Sequence, residues 1–322
     1  MGKEVNIVVG SDHLGEDFPN ILQGLFPEAN FIKAFDEKDQ LNQISNAKVF
    51  FGFPSEKLIQ CGSNLQWIAC PGTGIDKIIK NSKYLDPKIT ITNAPLAHVT
   101  PMAEHVVGTM VGLAHSFKQL FQDQVHKKWD VEQWNSKIVE LRGSNVCIYG
   151  YGKLGQSIAK KLKAFEMNIF AIDPITSIKT GSEKSVSPPK ELNQILKISN
   201  WLIIAAPLIK ETENFIKKSN LELMPKGSYV VIISRGGIIN EEDLYETLHS
   251  GHLAGAGIDA TKIEPLPESS PLWNIENAII SQHASALSPQ MYEGRRKIFI
   301  ENVRRFLDNK ELLHICNLNK GY

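Results

Sequence analysis

The stretch from Val146 to Asp173 limits what this 322-residue chain can fold into more than any other. An apolar run, Val146-Cys147-Ile148-Tyr149, meets Gly150-Tyr151-Gly152-Lys153-Leu154-Gly155. Leu154, Ile158, Leu162 and Phe165 then recur at helical spacing, and a second apolar run, Asn168 to Ile172, ends on Asp173. Strand, tight turn, helix, strand and terminal acid are the parts of a dinucleotide-binding βαβ unit. Gly150 permits the turn, Gly152 lets backbone approach a pyrophosphate, and Gly155 lets the helix pack closely on the strand. The phosphates would sit on the unpaired N–H groups of the helix start, around Lys153 and Leu154. Asp173 is placed to accept a hydrogen bond from a ribose 2′-hydroxyl and to repel a 2′-phosphate, which favours NAD(H) over NADP(H). Lys179 nearby would soften that preference. The plainer alternatives are a glycine cluster in an ordinary turn and an acid that only closes a strand-end turn.

The bulk numbers turn attention to a small ligand. Lys plus Arg equals Asp plus Glu, 35 against 35, so no overall field attracts nucleic acid or an anionic membrane. Cys61, Cys70, Cys147 and Cys316 form no C-x-x-C pair and read as buried free thiols of a reducing compartment, with no metal site or disulfide frame. A strand-like run begins at Val5, leaving no room for a signal peptide. No apolar run reaches the roughly 18 residues of a membrane span. Gly2 is not followed by the Ser or Thr that myristoylation wants, since position 6 is Asn6. The expectation is a soluble cytoplasmic protein.

Residues 1 to 96 alternate strand-like runs (Val5 to Val9, Asn30 to Ala34, Lys48 to Phe51, Leu65 to Ala69, Ile89 to Thr92) with helical stretches around 15–26, 37–45, 55–60 and 75–80. Such alternation predicts a parallel sheet covered by helices. Two of its turns are suggestive. Cys70-Pro71-Gly72-Thr73-Gly74 can aim consecutive N–H groups at an anion such as a carboxylate, or can merely link strand to helix. Phe51-Gly52-Phe53-Pro54 could wall the same crevice. From Thr100 to Phe121, apolar residues including Val106, Val107, Met110, Val111, Leu113, Phe117 and Phe121 surround most of a helix. Burial against a second copy would hide them, which predicts a homodimer through this helix; burial between domains of one chain is the alternative. Beyond the nucleotide unit, Glu183 to Pro189 reads as a loop, Leu192 to Ile198 and Leu221 to Leu223 as short helices, and Trp201 to Ala205 as a strand stopped by Pro207. Tyr229 to Ile233, Leu253 to Ile258 and Ala278 to Ile280 add three more strands, and 288–308 a last helix.

Ligands bind outside the carboxyl ends of an open parallel sheet. The last three strands lead in turn into Ser234-Arg235-Gly236-Gly237, into Asp259 with Glu264 beyond it, and into His283. A guanidinium, two carboxylates and an imidazole are thus delivered to the edge that holds the dinucleotide. Singly, each has a bland reading as a surface, turn or structural residue.

The runs Ser234 to Glu241, Leu253 to Asp259, Glu264-Pro265-Leu266-Pro267 and the His283 segment, with Ala103-Glu104-His105 and Glu140-Leu141-Arg142-Gly143, resemble the D-isomer-specific 2-hydroxyacid dehydrogenase family. The likeness runs from Leu65 onward and is weak before it. The closing Gly321-Tyr322 and compact length resemble its glyoxylate/hydroxypyruvate reductase-like and 2-ketoacid reductase members. The resemblance implies two Rossmann/flavodoxin-like doubly wound α/β domains with a cleft between them: a substrate domain (1–96), an NAD-binding domain (97–286) and a tail (287–322) that returns to the first. It implies reversible reduction of a small 2-keto acid to the D-2-hydroxy acid. Arg235 would be the substrate arginine, Glu264 and His283 the acid–base pair, Asp259 a supporting acid, and Gly72, Thr73 and Gly74 the carboxylate-binding turn. Pro207, Ser234 and Asp259 would join the glycine loop in holding NAD(H).

Elementary chemistry agrees with these roles. Arg235 offers a planar fork for a carboxylate. His283 is the side-chain type that exchanges a proton near neutral pH, and Glu264 would fix its tautomer and favour imidazolium. Phe51, Phe53, Met291 and Tyr292 are candidates to shape the substrate pocket. Three departures stand out: Ile232 where many members carry Asn, Gln282 where Pro is usual, and Thr261 where Phe is common. Two other readings of the fold are a formate dehydrogenase, whose members pair the histidine with Gln, and a nicotinamide-sensing corepressor.

Overall fold

The computed structural model describes residues 5–75, 78–79 and 82–318. Gly2, Gly321, Tyr322 and half of the helix expected at 75–80 lie outside them. The chain divides into two compact units, residues 1–98 with 287–322, and residues 99–286.

The first unit is a parallel sheet of five strands: β1 (Val5–Val9), β2 (Ala29–Lys33), β3 (Val49–Phe51), β4 (Trp67–Ala69) and β5 (Thr90–Thr92). Their order is β2-β1-β3-β4-β5, the flavodoxin-like arrangement. The inner strands β3 and β4 are buried on both faces and read as unbroken apolar runs, whereas the edge strand β2 alternates. The helix Pro289–Leu307 returns to this unit and sets Phe299 in its centre, with ring centroids 4.5 Å from Phe51 and 5.6 Å from Trp67. Ile315 then bridges antiparallel to Thr92 at the sheet edge. Phe51 and Met291, candidates for the pocket wall, are buried in the core instead. A strand-end phenylalanine facing a covering helix has no free face to offer a ligand. Phe53 is exposed and lies beside Gly72.

The second unit carries seven parallel strands: β6 (Asn145–Tyr149), β7 (Asn168–Ile172), β8 (Ser185–Ser187), β9 (Trp201–Ile204), β10 (Ser228–Ile232), β11 (Leu253–Ile258) and β12 (Ala278–Ile280). The order β12-β11-β10-β9-β6-β7-β8 reverses direction between β6 and β9, the switch point of a Rossmann sheet. β8 falls in the segment expected to be a loop; its residues are all half-buried, and an edge strand of three residues has too little pattern to announce itself. The crossover helix ends at Lys163, so its buried stripe is Gly155, Ile158, Ala159 and Leu162. Phe165 lies past the end and is exposed.

The apolar segment at 100–121 is two helices. Pro95–Ala114 stops at Ser116, whose φ of 53° is left-handed, and Phe117–Val125 sets off in a new direction. Ala103, Val106, Met110 and Leu113 are buried among strand residues of the second unit. Their approach is close: a Cβ on Gly257 of β11 would lie 2.2 Å from Thr109 Cγ2. The unburied apolar surface belongs to the second helix and to the loop beyond it, with Phe121 61% and Trp129 92% exposed. Among the cysteines, Cys70 and Cys147 are buried, but Cys61 is exposed, because its short helix Glu56–Cys61 ends at the surface. Burial pushes the Cys147 and Cys316 thiols up to about 12, which leaves them inert. No helix among the described residues is long and apolar enough to cross a membrane.

Candidate active site

The glycine loop leaves β6 at the switch point, and its three glycines do three different things. Gly150 takes φ +98° and would drive a Cβ to 2.4 Å from the backbone nitrogen of Ala206, in the turn after β9. Gly155 would put a Cβ 2.2 Å from the Gly150 carbonyl oxygen. Gly152 faces open space and caps the helix Lys153–Lys163 without any side chain, so its first amides are left for a ligand. Lys153 is exposed and Leu154 half-buried in that first turn. Asp173 clasps the loop: one carboxylate oxygen accepts from the Tyr151 N–H at 2.8 Å and the other from the Ile175 N–H at 2.8 Å. Each oxygen keeps a lone pair for a further donor.

Between the glycines, Tyr151 is fully buried and donates its hydroxyl to Glu183 at 2.7 Å. Burial pushes the Glu183 carboxyl up, but hydrogen bonds from the Thr180 hydroxyl, Tyr151 and nearby amides outweigh it and bring the pKa down to about 2. Nothing in the local sequence signals this brace, because Thr180 and Glu183 come from a loop with no periodic pattern.

The second cluster forms where β10, β11 and β12 end. Gly236 is pressed against the next loop; a Cβ there would lie 2.0 Å from the Thr261 carbonyl carbon. This contact joins the Arg235 loop to the segment that carries Glu264. Arg235 is half-buried, and its Nη1 donates to the Ser234 carbonyl at 2.7 Å. Ser234 is buried and donates its hydroxyl to the Ala206 carbonyl at 2.6 Å, tying β10 to the turn where exposed Pro207 comes after β9.

His283 Nδ1 lies 3.0 and 2.9 Å from the two Glu264 oxygens. Glu264 also accepts from the Thr261 N–H at 3.1 Å, which holds the carboxylate in place. With Nδ1 committed to a carboxylate, Nε2 is the ring atom left for proton exchange. Asp259 organises the turn that presents the imidazole. Its carbonyl accepts from the His283 N–H at 2.7 Å, and its Oδ1 accepts from Ser281 Oγ, Ala284 N and Ser285 N at 2.7, 3.1 and 3.1 Å. Its Oδ2 is buried with no partner among the described residues. Gln282 and His283 both take φ of 56°. Proline is locked near −65°, so this turn could not carry one at position 282.

The third cluster lies in the first unit. In the turn Cys70 to Gly74, the Gly72 carbonyl accepts from the Ala94 N–H at 2.9 Å, and the Thr73 carbonyl from the Asn93 amide at 2.7 Å. The Gly74 carbonyl faces the Cys70 thiol at 3.6 Å. With the carbonyls held back, the Gly72, Thr73 and Gly74 N–H groups have no acceptor among the described residues. That is the form of an anion-binding nest. The support Asn93 was not foreseeable from the turn, since it lies on a different strand end.

Residues 107–285, more than half of the chain, match the family model described as "D-isomer specific 2-hydroxyacid dehydrogenase, NAD binding domain". The chain belongs to the D-isomer-specific 2-hydroxyacid dehydrogenase family. Its second unit is therefore a nicotinamide-dinucleotide domain. This dehydrogenase-family chain is 30% identical to the hydroxypyruvate reductase of Thermotoga maritima, over 97% of this chain and 93% of that one. It is 28% identical to the D-3-phosphoglycerate dehydrogenase of Methanocaldococcus jannaschii, over 98% of this chain but only 60% of that longer protein. A family protein of Aeromonas salmonicida shares its fold, with a TM-score of 0.87 at 24% identity, over 98% of this chain and 100% of that one.

Proposed function

We propose that this family member is an NAD(H)-dependent oxidoreductase that interconverts a small 2-keto acid and its D-2-hydroxy acid. The observation that carries the reading is the bidentate grip of Glu264 on His283 Nδ1. A carboxylate there selects the tautomer and leaves Nε2 as the atom that gives a proton to a ketone oxygen in reduction and takes it back in oxidation. Arg235 is the donor that polarises the ketone and grips the carboxylate. In the first unit, the Gly72, Thr73 and Gly74 amides are the carboxylate cradle.

The residues present fit a bound dinucleotide. The Gly152 opening and the uncapped start of the Lys153–Lys163 helix suit a pyrophosphate. Asp173 suits a ribose hydroxyl and disfavours a 2′-phosphate, hence NAD(H). The partnerless Asp259 Oδ2 suits an amide N–H of a nicotinamide. When bound, that group supplies the hydride.

Assembly as a homodimer belongs to the same reading. An open groove of about 550 Å³ in the second unit is lined by Thr109, Phe117, Phe121, Trp273 and Ile279, among others. Exposed apolar surface of this kind favours a second copy. A sedimentation mass of one chain at micromolar concentration would remove this part. The activity is tested by following NADH oxidation with glyoxylate, hydroxypyruvate, pyruvate and longer 2-keto acids. Turnover of at least one supports the proposal and names the substrate; inertness toward all of them removes it.

A further inference from the structure

The inner side of the turn at 70–74 holds more chemistry than a link between strand and helix needs. His98 is 7% exposed, with Nδ1 2.9 Å from the Thr73 hydroxyl and 2.9 Å from the Ala94 carbonyl. Its Nε2 is hydrogen-bonded to Nη2 of Arg295. A guanidinium only donates, so Nε2 accepts and the ring proton of a neutral imidazole resides on Nδ1. An imidazolium would oppose N–H to N–H beside a second cation. The Ala94 carbonyl only accepts, so the Nδ1 proton is shared between that carbonyl and Thr73 Oγ1. The Thr73 hydroxyl therefore accepts from His98, and its own hydrogen is left to donate from an exposed side chain. No carboxylate acts on Arg295 among the described residues: its guanidinium faces the Tyr292 ring at 5.6 Å, and its Nε is buried without a hydrogen-bond partner there. Desolvation by burial lowers its pKa, as expected for a cation lacking a counter-ion.

We propose that Arg295 and His98 are positioning residues that fix the Thr73 hydroxyl as a further donor to the substrate carboxylate, a role that rests on the turn being the carboxylate cradle. The guanidinium sets the imidazole tautomer, the imidazole sets the hydroxyl, and the hydroxyl joins the three amides. A carboxylate is the fitting ligand because every group turned toward it donates and the nearest uncompensated charge behind it is positive.

The test uses the holoenzyme at saturating NADH with hydroxypyruvate as probe. Thr73→Val should raise KM about 10- to 100-fold with kcat little changed, as expected for loss of one hydrogen bond to a charged group. Thr73→Ser should restore it. Arg295→Met should raise KM comparably, yet change it less than about twofold in the Thr73→Val background, because both act through one hydroxyl. Independent multiplication of the two effects, or an unchanged KM in Thr73→Val while the wild type turns over, overturns the relay and leaves the dehydrogenase reading standing. Nitrogen-15 NMR of the wild-type imidazoles decides without activity, with His98→Gln for assignment. A proton on Nδ1 of His98 supports the relay; a proton on Nε2, or on both nitrogens, overturns it even if no 2-keto acid is reduced.

Discussion

Two turns in this chain leave backbone amides without a protein acceptor, the form of an anion site, and they are built in opposite ways. The dinucleotide loop does it with glycines: Gly150 and Gly155 are forced by contacts of 2.4 and 2.2 Å, while Gly152 keeps the space above the helix start open. The turn at 70–74 does it with partners: Asn93, Ala94 and Cys70 draw its carbonyls away so that its amides face outward. The first device is local and is written in consecutive letters. The second depends on Asn93 and Ala94, which the fold brings from a different strand end. A bare turn is therefore weak information about an anion site, whereas a glycine fingerprint between two strands is strong.

Substitutions can separate the two devices. The largest effect should come from the proposed substrate arginine: Arg235→Ala should cut kcat/KM by about 10²- to 10³-fold, the usual loss for one preorganised donor. NADH binding, followed by fluorescence titration, should stay within a few-fold of wild type. Next, Gly155→Ala should destabilise the fold by about 1–3 kcal/mol, because the new methyl has only backbone to displace. Gly152→Ala should leave Tm nearly unchanged and weaken NADH alone; equal losses of Tm in the two variants would erase the distinction drawn between these glycines. Smaller still, Asn93→Ala frees the Thr73 carbonyl and should raise KM for the keto acid about tenfold, the value of one net hydrogen bond. An unchanged KM would mean that the turn keeps its shape without the pin.

The smallest effect concerns the brace under the glycine loop. The Glu183 pKa is lowered from 4.5 to about 2 in the folded state, so its contribution is complete above about pH 4.5 and is lost as the pH falls toward 2. Glu183→Gln should flatten the acid limb of a Tm-against-pH curve across that window. A curve parallel to wild type would show that Tyr151 holds the loop without the charge.

Legibility in the sequence divides along the same line. Both parallel sheets, the crossover helix and the pairing of Glu264 with His283 could be read from apolar runs and the residues just past them, because neighbouring strand ends in such a sheet lie side by side. The Asp259 clamp was legible only as an acid near the site. Its three donors come from the His283 turn, which no pattern predicts. Phe51 and Met291 misled because an aromatic or methionine at a strand or helix end looks the same in sequence whether it faces a ligand or a covering helix. The segment at 100–121 looked like one helix because Ser116 carries no glycine or proline to mark the break. Its apolar residues in fact divide between the core of the second unit and an exposed second helix.

Above all, His283, held by Glu264, is assigned the proton that accompanies hydride transfer. The decisive experiment compares NADH-dependent reduction of hydroxypyruvate by wild type and by His283→Ala, with NADH affinity measured alongside. Turnover is expected in the wild type, with a loss of about 10²-fold or more in the variant at unchanged NADH affinity. Near-wild-type turnover in His283→Ala would contradict the assignment.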